Sequence, residues 1–412
     1  MEATLLCRFC SSPLRNVFVD LGPSPLANSY VSESQALQME PFYPLTTYVC
    51  ETCLLVQVPA VVAPEHIFGD YAYFSSFSDS WVEHARRYVD MVTARFGLGE
   101  SSLVMEIASN DGYLLQHFAK HRVPVLGIEP AANIATAARA KGIETLVRFF
   151  GTELALELRD QGKRPDLIIG NNVLAHVPAL NDFVEGLRTA LAPAGVITIE
   201  VPHLLELIRN GQFDTIYHEH FSYFSLLALL RIFAAHGLKI FDVEQLETHG
   251  GSLRIYAAHA DDESQRDSGA VARVRDLELE AGLGSAAGYR DFDARVKEMK
   301  RALLAFLIEA KREGKKIAGY GAPAKGNTLL NYCGVRTDFI DFTVDRSPHK
   351  QSLLLPGSRI PIHAPDRLDA ERPDYLLILP WNLRDEIVSQ TARIRAWGGR
   401  WVVAVPRLEI IA

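Results

Sequence analysis

A chain of 412 residues outgrows a single hydrophobic core, so two or three domains are expected. Hydrophobic residues at 48% and charged residues at 22% are ordinary for a folded globular protein. With a net charge of −8 and no basic stripe, no nucleic-acid partner is expected, and any phosphate site must be built locally from backbone amides or a few cations.

The first seven residues carry Glu2 and lack the cationic start and apolar stretch of a secretory signal. No apolar run reaches membrane-spanning length; the richest, residues 224–235, is interrupted by Arg231 and reads as a core helix. The expectation is a cytoplasmic chain without a membrane partner, a monomer or weak homo-oligomer. The five cysteines (Cys7, Cys10, Cys50, Cys53 and Cys333) are odd in number, which argues against a disulfide framework and leaves thiols for metal.

In chain order, residues 1–75 read as a small module of short strands and turns, with strands expected at 47–49 and 54–58. Cys7-Arg8-Phe9-Cys10 and Cys50-Glu51-Thr52-Cys53 are two C-x-x-C pairs. Each spacing lets two thiolates reach one ion from a tight turn, and two such turns make a closed S4 zinc site with no open catalytic position. Cys333 stands alone and reads as core.

Residues 76–262 read as a second domain. A helix is expected from 76 to 95, then apolar strands at 103–107, 125–129, 166–169 and 195–201, separated by helices such as 131–141 and 180–191. Such alternation implies a parallel, doubly wound sheet. Charged helices should fill 263–316, and the alternation restarts at 317–320, 339–344, 375–379 and 401–405. Residues 263–412 are therefore a helical connector and a second Rossmann-like unit.

Five stretches carry candidate chemistry. Glu106-Ile107-Ala108-Ser109-Asn110-Asp111-Gly112 follows the first strand of the central domain, and Glu129, followed by Pro130, ends the next. The loop is no G-x-G-x-x-G fingerprint. Acids at two strand ends suit the sulfonium, ammonium and ribose of S-adenosylmethionine, although an ordinary turn would also satisfy the pattern. Asn171, Asn172 and His176 fall at the same sheet edge, as ligand contacts or as a helix cap. Tyr217-His218-Glu219-His220 crowds ionisable groups among aromatics; a histidine there suits removal of a proton alpha to a ketone, against the alternatives of a solvated helix start or a metal pair. Asp70-Tyr71-Ala72-Tyr73-Phe74-Ser75 could cover a substrate or pack an interface, and His249-Gly250-Gly251-Ser252 permits close backbone approach or a simple turn. Tyr320-Gly321-Ala322, Lys325 and Asp345 resemble a phosphate-binding turn with a ribose acid, for a dinucleotide, a nucleotide-sugar or nothing at all.

Taken together, the cysteine quartet, the 106–112 loop, Leu174-Ala175-His176, Glu219-His220, Thr248-His249-Gly250-Gly251-Ser252 and Gly319-Tyr320-Gly321-Ala322 resemble the zinc-containing sugar C-methyltransferases. That family methylates carbon 3 or carbon 5 of deoxyhexoses attached to thymidine diphosphate. The resemblance spans nearly the whole chain. It implies an α/β protein: a zinc module, a Rossmann-like class I methyltransferase sheet and a second Rossmann-like domain. It implies S-adenosylmethionine and zinc as cofactors and a nucleotide-linked 4-keto-sugar as substrate, dTDP-linked and methylated at C3. His220 matches the general base, with Glu219 and Tyr217 beside it; His176 and Tyr71 match residues facing the sugar, and His176 or a tyrosine would donate to the enolate oxygen. Ala108 departs from the family pattern, which has glycine there. Two other readings remain at this point: a nicotinamide-dependent nucleotide-sugar oxidoreductase using the Gly319 loop, and a non-catalytic nucleotide-sugar-binding protein.

Overall fold

The computed structural model describes residues 5–63, 75–77 and 79–412 and contains three sheets. In the first, β1 (Asn16–Ser24), β2 (Tyr43–Val49) and β3 (Val56–Gln57) pair antiparallel in that order. Its fourth strand, β9 (Ser222–Tyr223), arrives from far along the chain and pairs with β3. The strand expected at 54–58 contracts to two residues, because Leu54 is spent closing the second cysteine turn at φ 64°. β1 was not anticipated: its pairing shifts between Val17 and Val19 and again between Asp20 and Pro23, which breaks the period-two pattern.

The second sheet is built from β4 (Val104–Ile107), β5 (Val125–Ile128), β6 (Thr145–Leu146), β7 (Leu167–Asn171), β8 (Val196–Pro202), β10 (Leu238–Leu246) and β11 (Ser252–His259). The order is β10-β11-β8-β7-β4-β5-β6, parallel from β8 to β6 and closed by the antiparallel hairpin β10–β11. That is the strand order of the class I methyltransferase sheet. β4, β7 and β8 are covered by helices on both faces, so nearly every residue in them is apolar and buried. The chain leaves β4 toward β5 on one side, while β7 lies on the other. The carboxyl ends of these strands therefore flank the topological switch point, where open α/β sheets bind ligands.

Helices Ala270–Glu280 and Phe292–Arg312 form the connector. The first plants Glu278 at 0% exposure under helix Leu226–Ala235, where its carboxylate accepts the N–H of Leu226 at 2.6 Å and of Leu227 at 2.9 Å. The third sheet runs β14 (Ile362–His363), β13 (Phe342–Val344), β12 (Ile317–Tyr320), β15 (Tyr375–Ile378), β16 (Arg400–Val403) and β17 (Glu409–Ile411), all parallel except the last pair. One apolar core joins the N-terminal sheet to this unit through the connector: Phe18 stacks on Phe292 at 4.5 Å, and the same cluster reaches Leu303, Ile317 and Val402. No helix among the described residues is long and apolar enough to cross a membrane.

Candidate functional site

The four cysteines converge. Each pair closes an equivalent turn: Ser11 donates its N–H to the Cys7 carbonyl at 2.9 Å and Leu54 to that of Cys50 at 2.8 Å, and both residues sit at left-handed φ, 58° and 64°. Cys7 and Cys53 sulfurs are 3.5 Å apart, as are those of Cys10 and Cys50, and all four lie within 4.8 Å of one another. A tetrahedral zinc with Zn–S bonds of about 2.3 Å needs sulfurs roughly 3.8 Å apart, so the quartet fits the ion and leaves no open position. Gln57 Nε2 donates to the Cys7 sulfur at 3.1 Å.

These turns back directly onto two other loops. The Arg8 guanidinium lies 5.4 Å from the Phe221 ring centre and reaches the carbonyls of Val58 and Pro178. The Phe221 N–H donates to the Ala175 carbonyl at 2.8 Å, while its own carbonyl accepts from Val58 at 3.0 Å. The metal module thus buttresses the loops that carry His176 and His220.

At the carboxyl end of β4, Ala108, Asn110 and Gly112 all take positive φ, 55°, 50° and 76°. Ala108 pays for its methyl there with about 1 kcal/mol or more of backbone strain, which glycine would avoid. Glu129 holds the loop closed: one oxygen accepts from Asn110 N–H at 3.0 Å, the other from Ala131 at 2.9 Å across the Pro130 turn. Asp111 is engaged by Lys141 at 3.0 Å and by the Ser76 hydroxyl. Ser75, expected near the substrate, instead donates its N–H to Asn110 Oδ1 at 2.9 Å and belongs to the cofactor loop.

Around this loop, Glu106 Oε2, Asp111 Oδ1, Asn171 Oδ1, Asn172 Oδ1 and the Ser109 hydroxyl are buried without a hydrogen-bond partner among the described residues. Burial, followed by the neighbouring acids Glu129 and Asp111, pushes the Glu106 carboxyl well above its ordinary range; burial also raises Glu129. A set of stranded acceptors beside crowded acids fits a ligand rich in N–H and O–H donors with positive charge, as S-adenosylmethionine is. Asn171 and Asn172 do not cap the following turn, whose capping position is Val173.

The two histidine loops meet edge to face, with the His176 and His220 ring centres 4.7 Å apart. His220 Nδ1 lies 2.8 Å from the Thr215 carbonyl, which can only accept, so Nδ1 carries the proton and Nε2 the lone pair. Tyr217 O–H donates to that Nε2 at 2.9 Å. His176 Nδ1 likewise donates to the Glu219 carbonyl at 2.8 Å. Burial drives the pKa of His176 down to about 4 and that of His220 well below its ordinary value. Both residues are half-buried.

Two findings bear on the roles expected of these residues. The Glu219 side chain does not orient an imidazole; its backbone carbonyl does, and its carboxyl accepts from Asn28 at 2.7 Å and is pushed up to about 7 by burial. His176, neutral and protonated at Nδ1, presents an acceptor rather than a donor. His218 points to the N-terminal sheet, 3.2 Å from the Pro44 carbonyl.

The C-terminal unit closes the other side. Lys325 begins helix Ala324–Cys333, with its ammonium 2.8 Å from Asn382 Oδ1 and 4.6 Å from the Trp381 ring centre. It is close enough to His220 and His249 to depress both imidazoles. His249 sits at φ 56°, and its Nε2 is 3.3 Å from Asn172 Nδ2. Gly250 is a close-approach glycine: a Cβ there would lie 2.6 Å from the Trp381 ring, and one at Gly251 2.6 Å from Glu206. The Ser252 hydroxyl closes this turn onto Thr248.

Asp345 and Tyr320 are already engaged within the fold. The Asp345 carboxylate fastens two turns, accepting from Ala322 at 2.7 Å and Ser347 at 2.8 Å, and the Ala322 carbonyl is taken by Tyr30 and Lys350. Tyr320 is packed in the core of the third sheet, its hydroxyl on Gln390. Gly321, at φ 86°, lies where a Cβ would meet Pro380 at 2.6 Å, so its lack of a side chain serves packing. Tyr71 and Tyr73 lie outside the described residues. The sequence reading missed Asn28, Asp214 and Trp381, isolated polar or aromatic residues in irregular stretches whose partners are more than 160 positions away.

Comparison with known proteins agrees with this architecture. Residues 7–68 match a zinc binding domain family, 81–243 a methyltransferase domain family and 247–406 the family described as C-methyltransferase C-terminal domain. The chain is 36% identical over 406 residues to C-methyltransferase NovU of Streptomyces niveus, covering 98% of this chain and 96% of that one. A ubiquinone biosynthesis O-methyltransferase of a Chelativorans species is 28% identical over 118 residues, 27% of this chain and 47% of the relative. Among solved structures, a Burkholderia thailandensis 1,6-didemethyltoxoflavin-N1-methyltransferase with S-adenosylhomocysteine aligns at TM-score 0.36 and 19% identity, covering 50% of this chain and 95% of that one. Magnesium protoporphyrin IX methyltransferase of Synechocystis aligns at TM-score 0.33 and 17% identity, covering 47% and 88%. The oxidoreductase and non-catalytic readings are thereby set aside: the chain belongs to the C-methyltransferases that use S-adenosylmethionine and carry an N-terminal zinc module.

Proposed function

We propose that the enzyme methylates a carbon next to the ketone of a nucleotide-diphosphate-linked 4-keto-deoxysugar, a thymidine diphosphate sugar methylated at C3, with His220 as the base. The observation that carries this reading is the pair of half-buried imidazoles with fixed tautomers, each of which carries its lone pair at Nε2. Bound S-adenosylmethionine supplies an electrophilic methyl group held against the stranded acceptors of the 106–112 loop.

The ketone acidifies its neighbouring C–H, and His220 Nε2 takes that proton. To do so the ring exchanges its hydrogen bond with Tyr217 for the substrate C–H, which frees the phenol O–H to donate to the developing enolate oxygen. The imidazolium that forms keeps its Nδ1–H on the Thr215 carbonyl. His176 accepts a sugar hydroxyl, and Lys325 offers the diphosphate a cation in a chain of net charge −8. The cofactor and substrate sides meet at the sheet edge, so the enzyme's work is alignment and charge placement.

The test is deuterium wash-in. With S-adenosylhomocysteine in place of the methyl donor, wild-type enzyme in D2O is expected to exchange the acidic proton of the keto-sugar. His220→Asn should lose methyl transfer and exchange together, by about 10²–10⁴-fold, with both ligands still bound by calorimetry. Wild-type exchange in His220→Asn would overturn the assignment.

A further inference from the structure

The loop bearing Tyr217 and His220 is gripped by the other two parts of the molecule. From the C-terminal unit, Trp381 Nε1 donates to Asp214 Oδ2 at 2.7 Å, and the Thr328 hydroxyl donates to the Ile216 carbonyl at 3.0 Å. From the zinc module, Asn28 Nδ2 donates to Glu219 Oε2 at 2.7 Å. Asn28 is itself delivered on a pinned turn. Asn327 Nδ2 donates to the Ala27 carbonyl at 2.6 Å, Ser29 N–H closes onto Leu26 at 3.1 Å, and Tyr30 reaches the Ala322 carbonyl. Asn28 is exposed, whereas Glu219, whose carboxyl it holds, is only 3% exposed.

We propose that Asn28 is a positioning residue for methyl transfer: its amide N–H clamps the Glu219 carboxyl and so fixes the Glu219 carbonyl that sets the His176 ring and the turn that presents His220. The inference rests on the histidine reading given above. Glu219 works in two directions at once, its side chain held by the zinc module and its carbonyl aimed into the cleft. The Asn28 backbone also donates to this carboxyl, so a buried carboxyl that loses the side-chain N–H is left half-satisfied and must find another donor or move. Movement at Glu219 rotates the peptide that holds Nδ1 of His176, and the His220 N–H, bonded to the Tyr217 carbonyl at 2.9 Å, follows in the same turn. The zinc module thereby contributes to the active site through one side chain as well as through its fold.

Three measurements decide it. Asn28→Ala and the near-isosteric Asn28→Leu, assayed at pH 8, are expected to keep stoichiometric zinc and wild-type cofactor affinity while losing about tenfold to a hundredfold in deuterium wash-in and methyl transfer. A side chain that merely fills space would tolerate leucine, which has nearly the same shape but no side-chain N–H to offer and no charge to set against Glu219. In a double-mutant cycle, Asn28→Ala should add nothing to Glu219→Ala, since the two act through one contact. Should Asn28→Ala fail to fold, the leucine variant alone carries the comparison. Wild-type exchange in Asn28→Leu, or losses that multiply in the double mutant, would overturn the proposal. If wild-type enzyme itself showed no wash-in, the histidine reading would fall instead, and the same cycle would be read on methyl transfer.

Discussion

His220, the proposed base, combines two properties that ordinarily oppose each other in that role. Burial removes its positive charge first, and His176, His249 and Lys325 add to the effect, so the ring is neutral at physiological pH; the same environment makes it a weaker proton acceptor. The Thr215 carbonyl on Nδ1 partly restores basicity, because it accepts more strongly once the ring is charged. The sign of the shift has a kinetic consequence. A histidine whose pKa is lowered keeps its lone pair down to that lowered value, so kcat/KM should stay flat from pH 8 through the ordinary histidine range near 6.5. An acid limb with its midpoint near 6.5 would show that the base is not depressed. Glu219, raised to about 7, titrates within this window, so any inflection near 7 should disappear in Glu219→Gln if the carboxyl causes it. The pH–rate profile of the two proteins separates the cases.

Among the elements, the shortest strands do the most to hold the site. β3 and β9 contribute two residues each, yet they link the cysteine turns to the His220 loop: Gln57 in β3 holds Cys7 and pairs with Ser222, while Val58 accepts Arg8 and donates to Phe221. Removing zinc with a chelator should release this ladder, because metal binding free energy in such a module is folding free energy. Amide exchange is expected to rise in the peptides containing Val58 and Phe221 as well as in the cysteine turns. Complete metal loss with unchanged exchange at Val58 and Phe221 would separate the two sites. This link was invisible in the sequence, since a two-residue strand has no period and its partner lies more than 160 positions away. What was legible had local causes. Paired C-x-x-C spacing marked the metal, and apolar runs buried on two faces marked β4, β5, β7 and β8. The crowded Tyr217–His220 stretch marked the candidate base, but the tautomer of His220 and the Asn28–Glu219 contact are set by backbone carbonyls and side chains that only the fold brings near. Asp345 shows the converse: an acid at a strand end looks alike in sequence whether it awaits a ribose or fastens two turns, as its bonds to Ala322 and Ser347 do.

At the scale of the whole molecule, the chain ties its first part to its last. The β1–β2 face does not pack on the central sheet alone; it shares a core with the connector helix Phe292–Arg312 and with the third sheet. Phe18 is the hinge of that core, 1% exposed, stacked on Phe292 at 4.5 Å and edge-on to Tyr289 at 6.1 Å. Truncating it in Phe18→Ala should cost about 3–5 kcal/mol, the range for deleting a buried aromatic side chain. The informative quantity is where that loss is felt. If the zinc module and C-terminal unit form one cooperative block, amide exchange should quicken in β1 and in β12, β15 and β16 alike, and both should melt at the same lowered temperature. Phe118, also fully buried, belongs to a separate cluster on the central sheet with Tyr88, Val104 and Tyr256. Phe118→Ala should therefore destabilise the central sheet to a similar extent without quickening exchange in β1. This bears on the proposed catalysis, because Asn28 from one end of the block and Trp381 from the other both hold the loop that carries His220. A single rigid block would hold those two side chains at a fixed separation while the central sheet carries the 106–112 loop. Fast exchange confined to β1 in Phe18→Ala, with the third sheet unaffected, would mean that the two ends of the chain reach the active site independently.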